Sequence, residues 1–453
     1  MNNIIKITII LLTSLPSTTF SQNAKKNTVL FYDTAEPFSD GLAGVKRNDK
    51  WGFINKRGKE IITLKYDYIR NFENGFAEVR VKGKWGFIDK TGEEITPLKY
   101  DEIRSFSEDL ACVEFKDKWG FVDKNGKEVI PIKYEYIKDF SEGLAGVKLN
   151  GKWGFIDKNG REIIPFVYQR INEFSEGLST VVLNGKGGFI DKTGKKVTPF
   201  IYDNAEDPSE GCIPVRSNGK WGFIDKTGKE LTALKYDDFK PFSEGLAAIK
   251  SNGKWGFINT KGEEVISLQY SSTTSFSEGL VGVYLNNKSG HIDKNENIII
   301  PLKYKHVSSF SEGLAGVEFN EKEGFIDKTG EEVIAPKYYY AKPFYKGVSI
   351  VKLNEKYGII DKNGNELTEI KYDKIYDFDD DVSFVILNGK KGYIDLTGKE
   401  VIPTKYYSAQ AFSDGLALCN INGTYYYINK KGNISIEVRK PKKSGDVIEI
   451  ENH

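Results

Sequence analysis

From Leu144 to Leu149 apolar and polar positions alternate, Asn150-Gly151 interrupts the run, and Lys152 to Asp157 resumes it. Two-residue periodicity broken by Asn-Gly predicts a β-hairpin, because both central positions of the tight turn need positive φ angles. Asn159-Gly160 makes the next turn and Glu162 to Val167 supplies a third strand. The connector from Tyr134 to Gly143 carries an Ile-x-x-Phe pattern that fits a short strand or a helical turn.

The same pattern returns along the chain. Trp-Gly stands at Trp51, Trp85, Trp119, Trp153, Trp221 and Trp255, spaced by 34 residues or by 68 where one copy lacks its indole. Continuing the count reaches Gly187, Ser289, Glu323, Tyr357, Lys391 and Tyr425, so twelve units run from Tyr32 to Arg439 without insertion or deletion. Comparison of the copies separates packed positions from free ones. The Ile54 position is Ile or Val in all twelve, the Phe140 position is Phe in eleven, and the Tyr66 position is Tyr in eleven until Lys440. These three series are expected to form the seam between neighbouring units, since one unit of this size cannot bury enough surface alone. Gly52 and its equivalents persist until Tyr426, as a glycine does where backbone approaches a strand closely.

The fold expected is therefore all-β: a tandem array of twelve three-stranded β-meander repeats over residues 32–439, preceded by a short linker at 22–31. No linker parts units six and seven, and the last unit departs from the pattern at Tyr426 and Lys440, as a cap would. A capping tail, 440–453, follows and contains Val447-Ile-Glu-Ile-Glu451. These features favour one open, curved or superhelical stack, with one or two β-propellers as the alternative.

Composition narrows the setting. The first residues place Lys6 before an apolar run from Ile7 to Leu12 and then small polar residues to Ser21, the pattern of a signal peptide over 1–21. An exported protein is expected, whether periplasmic, secreted or on the cell surface, and no later segment is long and apolar enough to span a membrane. Lys plus Arg (65) and Asp plus Glu (64) cancel to a net +1, which offers no general field for nucleic acid. Cys112, Cys212 and Cys419 are too scattered for a disulfide framework and are expected to be free, buried thiols.

Lys-Trp-Gly-Phe-Ile-Asp-Lys-x-Gly-Lys-Glu-Val-Ile-Pro, preceded by Phe-Ser-Glu-Gly-Leu-Ala, resembles the WG repeat family of bacterial proteins over about nine tenths of the chain. The resemblance implies a β-rich, frequently exported repeat protein and carries no common ligand or activity.

Because the tryptophan position accepts Trp, Gly, Ser, Glu, Tyr and Lys, an accessible side chain is expected there. Trp51, Trp85, Trp119, Trp153, Trp221 and Trp255 are accordingly candidate ligand-binding residues, an aromatic ladder for sugars or peptides, unless each indole merely adds contact between repeats. Asp89, Asp123 and Asp157 precede turns of the form Asp-Lys-x-Gly and suit turn-amide acceptance better than metal binding. No catalytic constellation, metal site or cofactor motif is expected. His291, His306 and His453 have no zinc spacing, although the atypical stretch Ser289 to Asn297 is where a hydrolase centre would be sought. The expected function is a non-enzymatic binding scaffold for protein or glycan, with a passive spacer of the cell envelope as the alternative.

Overall fold

A computed structural model describes residues 28–379 and 381–441. The signal-peptide reading and the Val447–Glu451 strand lie outside these residues. The described chain contains strands and turns and no α-helix.

Seven of the twelve units form a four-stranded antiparallel sheet rather than a three-stranded one, and the twelfth carries a fifth strand from the start of the described chain. In the fourth unit the strands are Tyr136–Ser141, Leu144–Leu149, Lys152–Asp157 and Glu162–Tyr168, paired in that order. The connector is thus the first strand, and Phe140 re-enters the ladder opposite Ala145 after a bulge. The turn residues behave as the sequence requires: Asn150 and Gly151 have φ of 51° and 74°.

In blades 2, 5, 6 and 10 the fourth strand is reduced to isolated bridges such as Ile88↔Glu94 and Trp85↔Tyr100. One residue accounts for the difference. The position of Ile62 is Ile in eight blades, whereas those four carry Thr96, Thr198, Thr232 and Thr368. Each threonine Oγ1 accepts the backbone N–H of the third strand, from Phe87, Phe189, Phe223 and Ile359 at 2.9 to 3.1 Å. A hydroxyl has taken a bond that would otherwise belong to the ladder.

The third-strand glycine is a close-approach residue, as expected. A Cβ on Gly120 would meet the Ile130 carbonyl oxygen at 2.7 Å, and on Gly52 the Ile62 oxygen at 2.4 Å. Neither atom is the end of a movable side chain, so Gly120→Ala should destabilise the protein by about 1–3 kcal/mol. A lowered urea midpoint with an unchanged slope is the expected reading; an unchanged midpoint would remove the steric account.

Blades stack face to face. Blade 3 contributes Cys112, Trp119, Phe121, Ile130 and Tyr134 to a cluster with Ile137, Phe140, Ala145, Val147 and Ile156 of blade 4. The Ile54, Phe140 and Tyr66 series all recur in such clusters, so the seam inferred from the copies is the core. Charges trace the same stacking at the surface. Lys158 pairs with Glu108, Lys192 with Glu142 and Lys328 with Glu278, each fifty positions back and one blade away. These pairs are solvent-exposed and worth about 0–1 kcal/mol each.

The stack is closed, not open. Counting a full turn of the ring as twelve times 34, the backbone bond from Gly75 to Asp40 has its counterpart between Gly41 and Asp414, at 2.6 and 2.5 Å. The Lys158–Glu108 pair likewise has its counterpart in Lys56–Asp414 at 3.8 Å. Beneath them Phe38 meets Tyr427 with ring centroids 4.7 Å apart, inside a cluster that joins Ala35, Phe38, Val45 and Ile54 to Leu418, Tyr427, Ile436 and Val438. The protein is a twelve-bladed β-propeller, and the expectation of an open, capped stack is corrected.

The features read as a terminal cap are the closing device. Residues Thr28–Phe31, expected to be linker, form a strand that pairs in parallel with Ile434–Arg439 of blade 12. By repeat position this strand is itself the end of a fourth strand, which explains why the two run in the same direction. Tyr32, at its end, is 6 % exposed in the seam cluster and occupies the place that Tyr66 holds elsewhere. Lys440 therefore has no core place to fill. Tyr426 is tolerated in place of glycine because the fourth strand of blade 12 keeps register from Tyr425↔Val438 to Tyr427↔Ile436, without the close approach of the other blades.

Candidate functional site

Antiparallel order puts the turns between second and third strands, and the passages from one blade's fourth strand to the next blade's first, on the same face of the ring. Asp67 shows how that face is held. Its carboxylate takes Lys50 of blade 1 on one oxygen and the backbone N–H of Lys82 of blade 2 on the other. Those contacts, the lysine bond first, hold its carboxyl below the usual range.

The tryptophans begin on this face and point into the blade interface. Trp85, Trp119, Trp221 and Trp255 are at most 8 % exposed, and Trp51 and Trp153 are half-buried. The solvent-facing ladder expected of the six is therefore not built. The indoles pack on the next blade, and several are capped by cations: Arg104 lies 4.7 Å from the Trp119 ring, Arg70 and Arg80 lie 4.6 and 5.1 Å from Trp85, and Lys240 and Lys250 both lie 5.5 Å from Trp255. The tolerance of the position for small or polar residues reflects a site at the rim of the seam, where a missing ring leaves a cleft instead of a hole in the deep core.

The exposed aromatic surface is made by tyrosines that the copies did not single out. Tyr136 stands between Trp119 and Trp153, 6.5 and 5.7 Å from their ring centroids, and is 48 % exposed. Tyr68 and Tyr340 hold the same repeat position and are 46 % and 41 % exposed; Tyr339 and Tyr407, one position earlier, are 54 % and 55 % exposed. Lys322 and Lys390 each sit 3.1 Å from the centroid of Tyr339 and Tyr407, where other blades place an acidic partner. For Tyr339 and Tyr407 the available signal was the exchange of Asp for Tyr at a position that pairs with lysine in five other blades.

Where the indole is replaced by a small residue, the interface opens. A cavity of about 360 Å³ lies between blades 8 and 9 at Ser289, and one of about 190 Å³ lies at Gly187. Glu323, Tyr357, Lys391 and Tyr425 occupy the site with their own half-buried side chains.

His291, the candidate for hydrolysis, is fully buried beside Phe310, with ring centroids 4.8 Å apart. Its Nε2 contacts the Ser308 carbonyl at 2.8 Å, its Nδ1 has no partner, and burial pushes its pKa down to about 4. It is a core residue standing where most copies have phenylalanine. The three cysteines are free and buried; burial pushes the Cys212 thiol up to about 11 and that of Cys419 up to about 12. Asp89 Oδ1 accepts the N–H groups of Thr91 and Glu93 at 2.8 and 2.9 Å, the turn role expected. Among the described residues no group of three acidic, His or Cys side chains is placed to hold a metal.

The curated proteins contain no match to the chain. Solved structures with partial likeness include the extracellular domain assigned to a hybrid two-component system of B. thetaiotaomicron, 10 % identical, covering 93 % of this chain and 72 % of that one with a TM-score of 0.25. Another is a eukaryotic initiation factor, 11 % identical, covering 74 % and 96 % with a TM-score of 0.35. Scores this low bear on neither function nor location. The family model for the WG containing repeat matches twelve successive segments, from residues 32–51 to 392–425. Its segments tile the ring blade after blade, and the chain belongs to the WG containing repeat family.

Proposed function

We propose that the ring is an exported, non-enzymatic scaffold that binds protein or glycan through the face on which one blade passes into the next. The observation that carries this reading is the set of half-exposed tyrosines there: Tyr68, Tyr136, Tyr339, Tyr340 and Tyr407. A phenol ring offers apolar area and a hydroxyl at small entropic cost, which suits stacking on sugars and contact with protein surfaces. Burial of His291 away from solvent supports a binding role over a hydrolytic one.

Serine already stands at the same two positions in Ser271, Ser272 and Ser408, so exchange of tyrosine for serine should leave the fold intact. Glycan arrays and pull-downs from envelope extracts should show ligands retained by wild type and lost by at least about tenfold in a Tyr68/Tyr136/Tyr340/Tyr407→Ser variant, a loss of the size expected when central interface aromatics are truncated. Equal retention by both proteins would remove this face from the account.

A further inference from the structure

The cavity between blades 8 and 9 is an indole site without its indole. Around Trp119 the residue fifteen positions earlier, Arg104, caps the ring and the residue seventeen later, Tyr136, packs on it. Around Trp85 and Trp255 the residue five positions earlier, Arg80 or Lys250, adds a second cation. Counted from Ser289, those three positions are Thr274, His306 and Tyr284, and all three line the cavity. The cleft at Gly187 repeats the relation, with Asn172, Asn204 and Val182 in its wall. Sequence and geometry thus agree that each space is the vacated position of a ring.

The two differ in what they can admit. At about 190 Å³ the Gly187 cleft falls below the range in which small-molecule sites occur, roughly 300–1,000 Å³, whereas the Ser289 cavity at about 360 Å³ lies at its lower end, suited to one ring system. Its inner walls are Val283, Val307, Gly282 and Thr273, which are buried and largely apolar. Thr274 stands where cations cap other indoles, so both the ring and its cap are missing. Ser272, Lys305 and His306 are exposed at the mouth, where Lys305 pairs with Glu318 at 2.6 Å. A donor and an acceptor therefore stand at the rim of an apolar slot, an arrangement that fits peptide amides flanking a buried ring.

We propose that this slot receives the side chain of a tryptophan presented by a partner polypeptide, which replaces in trans the indole that blades 1 to 4, 6 and 7 supply in cis. The site is distinct from the exposed tyrosines, and either can fail without the other. A lone side chain gives weak affinity, of the order of 1 mM, and a partner would add contacts around it.

The test uses the whole chain with blocked Gly-Trp-Gly, blocked Gly-Leu-Gly and free indole as probes, read by saturation-transfer NMR. Wild type should transfer saturation to the indole protons of the tryptophan peptide, with the leucine peptide at least about fivefold weaker. Ser289→Trp, which restores the residue of six other blades, should reduce the transfer to background while the melting temperature is maintained or raised. Should that variant misfold, Thr274→Lys, which reproduces Lys240 over Trp255, covers the slot instead and should have the same effect. Undiminished transfer in a folded filled variant, absence of transfer in wild type, or binding of free indole without the peptide would each overturn the assignment.

Discussion

Phe38→Ala should destabilise the protein by about 3–5 kcal/mol, the loss expected when a fully buried aromatic ring leaves a cavity. Phe38 belongs to the first blade, is 0 % exposed, and is packed on Tyr427 of the last. In an open array the same residue would lie on an end face, and truncation would cost little because there would be no neighbouring blade to lose. The substitution therefore reports on closure as well as packing. A Phe72→Ala variant, truncating the equivalent residue between blades 1 and 2, sets the scale for an ordinary interface. Denaturant midpoints lowered to a similar extent in both are expected, together with a larger radius of gyration for the Phe38 variant once the seam parts. A loss below about 1 kcal/mol at Phe38, beside a full loss at Phe72, would show that the ring does not close.

Acid should weaken the wild-type protein through one imidazole. His291 is held neutral by burial, with its pKa lowered from 6.5 to about 4, and the unfolded chain regains the ordinary value. Between those values the unfolded state binds a proton that the folded state does not, so stability falls as pH falls, by about 1.4 kcal/mol per pH unit and about 3 kcal/mol in all. Above pH 6.5 the residue contributes no pH dependence. His291→Phe installs the residue found at this position in Phe257 and Phe325, and removes the unpartnered Nδ1. The variant should match or exceed wild type at pH 7.5 and be about 3 kcal/mol more stable relative to it at pH 4. Parallel pH profiles for the two proteins would mean that the imidazole is protonated without cost and is not buried as described.

Much of the architecture is legible in the copies themselves. Tyr66, Phe140, Ile54 and Gly52 announce the seam and the close approach because twelve units repeat the same packing problem and reach the same answer. The first strand is harder to see, since the connector that forms it returns to the ladder at Phe140 only after a bulge and in other blades pairs over as few as two residues, as at Tyr68–Ile69. Closure was hidden for a different reason. Tyr426 and Lys440 depart from the pattern, and a departure alone does not say whether a unit faces water or a strand from the far end of the chain. Recognition of Leu30-Phe31-Tyr32 as the tail of a fourth strand is what separates the two cases. The burial of the indoles is not legible in the copies, because variety at a position is also the mark of exposure. Variety there reflects the rim of an interface, where a ring, a longer polar chain or an open cleft are all tolerated, and the truly accessible rings belong to Tyr68, Tyr136 and Tyr407.

The strand Thr28–Phe31 has a consequence for copy number. A linear array can gain or lose one repeat at its end and leave every remaining contact as it was. Here the first strand must reach the last blade, so a gain or loss of 34 residues would oblige all the wedge angles between blades to adjust together. The count of twelve is thereby fixed by geometry, and variation in this protein is channelled into what each blade displays.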